Sequence, residues 1–225
     1  MQNIPVSSPS LISVLRWEPP DHAKIIVGEL RGRTDILNVV PLLEIATDDA
    51  AQNWLRRDAT ELAAIHGTER AVAWLRDFVC DGKQPTVRRM LAIDALAALQ
   101  LPDKTLDIIE DIARQPGNTE LRASAINQLA RFRNLRSIST LVALLPDRDA
   151  GVRAAADAAI SKIFESYGGR VKATQLMVER AENEYRRGNY QLARRVSDTV
   201  LHLDPLNSRG LYIRARLQPT HSHVH

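Results

Sequence analysis

Apolar residues recur at three- and four-residue intervals from about residue 21 to residue 217, with few alternating β-branched runs. That period predicts helices of roughly 10–16 residues, rich in Ala, Leu and Arg. Turn residues punctuate the pattern at Gly67 and Thr68, Asp81 to Lys83, Leu101 to Asp103, Pro116 to Asn118, Pro146 and Asp147, Gly168 and Gly169, and Gly188 and Asn189. Short turns between helices imply antiparallel neighbours. An all-α chain follows.

The helices repeat. Arg89, Arg122 and Arg153 stand 33 and 31 residues apart. Three residues on from each come Ala92, Ala125 and Ala156; seven on come Leu96, Leu129 and Ile160; ten on come Leu99, Phe132 and Ile163. Those offsets share one helix face, so each segment presents the same apolar stripe with a small residue where a neighbour must approach. The intervening helices form a second ladder at Leu42, Trp74, Ile108 and Leu141, each followed by Leu43, Leu75, Ile109 or Val142 and, four on, by Ala46, Phe78, Ile112 or Leu145. An earlier first helix fits through Leu55, Leu62 and Ile65, with Asp58 at the alanine position. A degenerate terminal repeat is expected where an outer face meets solvent.

Segments such as GVRAAADAAISKI and NVVPLLEIATDD, with Pro41 in a first turn, resemble HEAT-like repeats over roughly residues 21–167. Asp147, six residues before Arg153, matches the Asp and Arg that pair between repeats in that family, whereas Lys83 and Pro116 replace the acid elsewhere. The resemblance implies an α-solenoid of stacked antiparallel helix pairs. Residues 168–217 resemble a tetratricopeptide repeat through Ala181, Gly188, Asn189, Tyr190, Ala193 and the stop at Asp204 and Pro205, with SRGLYIRARL as a capping helix. Met177, Arg180 and Glu184 depart from that pattern, and Val178 and Glu182 stand where the family's Lys and Asn grip acidic tails, so tail binding does not carry over. Residues 1–20, with Ser7 to Ser10, Pro19 and Pro20, read as an irregular lead-in over which Trp17 folds onto the open end. Residues 218–225 read as a flexible tail.

Composition adds exclusions. The 225 residues hold a single cysteine, Cys80, so neither an internal disulfide framework nor a cysteine-pair zinc site can form. Net charge is +3; residues 171–225 carry nine Lys/Arg against five Asp/Glu, so the positive excess lies at the C-terminal end. Of the 30 cations, 25 are arginine, which favours fixed, planar hydrogen bonding. No window reaches the ~20 apolar residues that span a bilayer, and no secretory leader is visible, so a cytoplasmic location is expected.

Chemical motifs are sparse. The glycines make no phosphate loop, and no G-x-S-x-G or H-E-x-x-H occurs. Cys80 reads as a small buried residue rather than a nucleophile served by His66, and Trp74 and Tyr190 read as packing residues. His221, His223 and His225 have alternate spacing that could chelate a metal, but they read as solvated, and no metal or cofactor is expected.

Two charge groupings remain. In HEAT-like solenoids the second helices line the concave side, which would expose Glu44, Arg76, Asp77, Asp107, Glu110, Asp111 and Thr140. Five acids against one base suit a basic or mixed-charge protein segment and repel phosphates; a merely solvated face is the alternative. Arg186, Arg187, Arg194 and Arg195, with Arg214 and Arg216, form a basic group that is either solvated surface or a contact for an acidic partner or phosphate. The family resemblance implies a protein-interaction scaffold or adaptor without catalysis of its own. Alternatives are a HEAT-like enzyme or enzyme subunit, for which Trp74 and Asp77 in AWLRDF are the glycosylase-like pair and no bilin-lyase motif matches, or a self-assembly arm that forms homo-oligomers. Nucleic acid is not expected as a partner at ~150 mM salt.

Overall fold

The arginine-and-alanine ladder is the joint around which the helices assemble. The computed structural model describes residues 7–217 apart from 35, 37 and 100, and among these it contains helices and no strand. They are α1 Ser8–Val14, α2 Pro20–Arg31, α3 Val40–Ala46, α4 Asn53–Cys80, α5 Thr86–Ala98, α6 Pro102–Arg114, α7 Thr119–Phe132, α8 Ile138–Leu144, α9 Ala150–Ser166, α10 Arg170–Arg186, α11 Tyr190–Leu203 and α12 Ser208–Arg216. A short 3-10 turn, Leu135–Ser137, leads into α8. The expected break near residue 67 is a kink in α4: Gly67, at ψ 60°, joins two helical stretches. Pro in the first turn starts α1, α2, α3 and α6, where its missing N–H costs nothing. Asp149 caps α9 by accepting from the Gly151 and Val152 amides (2.8 and 3.2 Å).

The chain divides into two compact units, Met1–Gln128 and Leu129–His225, with the division inside α7. In the first unit α3 packs on α4, α4 on α5 and α5 on α6, while α2 leans on α4 and α1 on α2 and α3. In the second, α8 packs on α9, α9 on α10, α10 on α11 and α11 on α12, and α8 also meets α11, where Thr199 donates to Ser139 (2.9 Å) or accepts from it. Gly188, at φ 81°, closes the α10–α11 turn in the left-handed region that a β-carbon disfavours.

Each ladder arginine reaches back to the main chain of the preceding helix or turn. Arg89 Nε donates to the Val79 carbonyl (2.7 Å), Arg122 Nε to Ala113 (3.0 Å), and Arg153 Nη1 to Asp147 and Arg148 (2.7 and 3.0 Å). Guanidinium donors thus meet carbonyls that a helix end leaves without internal partners. Arg56 is a fourth member, donating to the carbonyls of Asp48 and Ala51. It lies 33 residues before Arg89 and corrects the sequence register: Ala59, not Asp58, is the first repeat's alanine. Ala59, Ala92, Ala125 and Ala156 are all completely buried.

Other expectations are also corrected. Residues 8–14 are helical rather than irregular, because Ser8, Ile12 and Leu15 turn inward on one face. Trp17 is 84% exposed and covers nothing. Cys80 is exposed, and Ile65 points outward once the register moves by one. In the second ladder Leu43, Leu75, Ile109 and Val142 are all buried, whereas in the column one residue earlier Leu42 and Leu141 are buried but Trp74 and Ile108 are half-buried. Residues 218–225, with their three histidines, lie outside the described residues.

Two measurements check the joint. Ala59→Leu is expected to destabilise the chain by about 1–3 kcal/mol through overpacking, while Asp58→Leu changes stability much less. Arg122→Ala, which leaves the buried Ala113 carbonyl without its donor, is expected to cost about 2 kcal/mol. Urea denaturation of the full chain reads both.

Candidate functional site

The half-burial of Trp74 has a consequence on the surface of the first unit. Its ring stacks on Phe78, one helical turn on, with centroids 4.8 Å apart and planes at 23°. The Arg88 guanidinium stands 5.6 Å from the Phe78 centroid and also donates through Nε to the Thr47 carbonyl at the end of α3 (3.0 Å). Around this aromatic pair runs an open cleft of about 710 Å3, lined by Arg16, Glu44, Trp74, Asp77, Phe78, Asp81, Gln84 and Arg88. Three carboxylates thus face two guanidiniums.

The charges are held in different ways. Arg16 pairs with Asp48 (3.3 Å) and Arg76 with Asp77 (2.9 Å) beside the cleft. Asp81 accepts from the Lys83 amide and from Gln84 Nε2, both at 3.0 Å, and these bonds hold its carboxyl below the ordinary 3.8. The Glu44 carboxylate is exposed and makes no ion pair or hydrogen bond among the described residues. An open acid beside a stacked aromatic pair can receive a cation whose alkyl stem lies on the rings.

Of the seven positions expected on the binding face, the structure therefore brings Glu44 and Asp77 to one cleft, with Arg76 at its edge. Asp107 and Asp111 are exposed on α6, where Asp111 pairs with Arg114 (3.0 Å). Glu110 and Thr140 are corrections: only 6% and 2% exposed, they belong to the packed interior, and Glu110 pairs with Arg114 (2.9 Å). Sequence reasoning missed Arg16, Asp81, Gln84 and Arg88 as cleft residues and assigned Trp74 to the core. A tryptophan where the other repeats carry Leu or Ile was the available signal.

The basic group is exposed but largely neutralised. Arg186 pairs with Glu182 (3.6 Å), Arg187 with Glu184 (3.8 Å) and Arg194 with Asp198 (4.0 Å). Arg209 and Arg214 come to the same acids: Arg209 donates twice to Glu182 (2.7 and 2.6 Å) and Arg214 approaches Asp198 (3.3 Å). Arg195 is exposed and makes no side-chain pair among the described residues. Tyr190, expected to pack, is more than half exposed and tilts against Tyr185 at 5.6 Å.

Helix pairs recurring at this pitch, joined by arginine to the main chain, agree with the comparison to known families. Residues 106–193 match the family model of HEAT repeats. The HEAT-repeat match begins within α6 and runs into α11. No curated protein matches the chain. Among the described residues no helix is long and apolar enough to cross a membrane, and no group of three or more His, Cys, Asp or Glu side chains is placed to hold a metal.

The Glu182–Arg209 pair gives a pH signature. Hydrogen bonds from Arg209 hold the Glu182 carboxyl below its ordinary 4.5. A depressed folded pKa adds stability that is present above the unfolded value and is lost as pH falls through the folded one. Wild type is therefore expected to exceed Glu182→Gln in stability at pH 7 and to lose that margin on acidification from about pH 5 to pH 3. Thermal melts of both proteins across that range measure it.

Proposed function

We propose that this chain is a protein-interaction scaffold or adaptor, without catalysis of its own, that docks a cationic or mixed-charge segment of a partner protein in the cleft around Trp74 and Phe78. HEAT repeats often mediate protein interactions, and stacked helix pairs offer surface without needing a reactive group. The observation that carries the reading is the convergence of Glu44 from α3 and Asp77 from α4 on a stacked aromatic pair. A lysine or arginine of the partner lies along the rings and ends at the Glu44 carboxylate; Arg16 and Arg88 receive an acid elsewhere in the same segment.

The α10–α11 hairpin is proposed as a tetratricopeptide-type unit, on the grounds of its left-handed turn at Gly188 and the buried Ala181 and Ala193 at the close approach. A cytoplasmic setting suits a chain whose one cysteine is exposed and reduced there.

Titrating the full chain with a short Lys- and Arg-containing peptide, followed by tryptophan fluorescence, is expected to show saturable binding. Glu44→Lys combined with Asp77→Lys should weaken it at least about tenfold, while Asp107→Lys on α6 leaves it intact. Trp74→Phe should remove most of the fluorescence change. Equal binding by the double charge reversal would move the docking face away from this cleft.

A further inference from the structure

The last described helix leaves apolar surface open. α12 packs on α11 and α10 and buries Gly210 and Ile213, while its opposite face carries Leu211, Tyr212, Ala215 and Arg216, all exposed. Leu206, in the turn that leads into α12, is exposed as well. An array of helix pairs ordinarily ends on a polar outer face, because apolar surface left there invites association. Here leucine and tyrosine stay open beside an arginine, and tyrosine and arginine are enriched where proteins meet.

Charge narrows what can cover this face. α12 holds three arginines and no acid. Arg209 and Arg214 lean back on Glu182 of α10 and Asp198 of α11. The Arg216 guanidinium stands 5.3 Å from the Tyr212 ring centroid and makes no ion pair or hydrogen bond among the described residues. All five Asp and Glu side chains of residues 171–225 already have partners: Gln175 donates to Glu179, Arg187 pairs with Glu184, and Asn207 donates to Asp204 beside the two acids just named. No acid of this segment is left over for Arg216. A second α12 cannot supply one, since two such helices face to face would set arginine against arginine. The cleft of the first unit can, because the exposed Glu44 carboxylate is unpartnered there beside the Trp74–Phe78 stack.

We propose that α12 of one copy docks in the aromatic cleft of another, so that the chain associates head to tail with itself. This rests on the cleft reading above and names the occupant: the cationic segment is the chain's own last helix. Arg216 lies along the Trp74 ring and ends at the Glu44 carboxylate, with Tyr212 and Leu211 against the aromatic pair. Arg16 and Arg88 keep Asp48 and the Thr47 carbonyl as partners, so the absence of acids from α12 leaves no cation stranded. The two surfaces differ, which makes the contact heterologous: every copy offers one α12 and one cleft, and copies add in series.

Sedimentation velocity of the full chain tests this. Wild type is expected to sediment faster as its concentration rises from about 5 to about 200 μM, and salt at about 0.5 M should weaken the effect. Glu44→Lys with Asp77→Lys spoils the cleft and keeps α12; Tyr212→Ala with Arg216→Glu spoils α12 and keeps the cleft. Each double variant alone should lose self-association at least about tenfold, while the two mixed should form a one-to-one dimer that grows no further. Excess Lys- and Arg-containing peptide should return wild type to monomer, a readout that needs no substitution. A wild type that stays monomeric throughout, self-association by either variant alone, or a mixture without dimer overturns the proposal. The α12 variant separates this from the cleft reading. If it binds the peptide saturably but forms no dimer in the mixture, the cleft stands and only its occupant changes; if neither it nor wild type binds the peptide, both readings fall.

Discussion

Four alanines without exposed surface, at Ala59, Ala92, Ala125 and Ala156, set the distance at which successive helices meet. A methyl group is the largest side chain that leaves two helix backbones in close contact, so these positions constrain the layers built around them. One turn before each alanine an arginine spans the junction to the main chain of the preceding helix or turn. Packing alone would let helices slide along one another. A directed hydrogen bond fixes the register.

The cleft follows from that register. Holding α5 against the end of α4 brings Arg88 over Phe78, and Phe78 in turn holds Trp74 in a stack at the surface. Trp74 is too wide for the column that Leu42 and Leu141 fill, so its ring stays partly in solvent with acids from α3 and α4 around it. Its half-burial is therefore a product of the same repeat that makes the core.

Much of this was legible in the chain. The thirty-three-residue pitch, the helix ends at Gly188 and Gly169, and the alanine column follow from periodicity, because helix faces and turn chemistry are local. What failed depended on side-chain bonds, neighbouring helices or segments too short for a period to show. Asp58 and Ala59 differ by one position, and with Leu55 and Leu62 compatible with either alignment, only the Arg56 bonds decide between them. Glu110 and Thr140 sit on the edge of an apolar stripe, where burial depends on how wide the neighbouring helix is. The seven-residue helix α1 gives two turns of pattern, too little for a period to show among its serines and proline.

Because each ladder arginine reaches at least one carbonyl oxygen, the acceptor they share in kind is backbone, and any amino acid can stand there. Val79, Ala113 and Asp147 share no side-chain chemistry yet occupy the same role. Such a junction makes demands on only one of its two sides, so duplicated or deleted blocks of about thirty-three residues arrive with their own fastening, and the array can lengthen or shorten without co-evolved pairs.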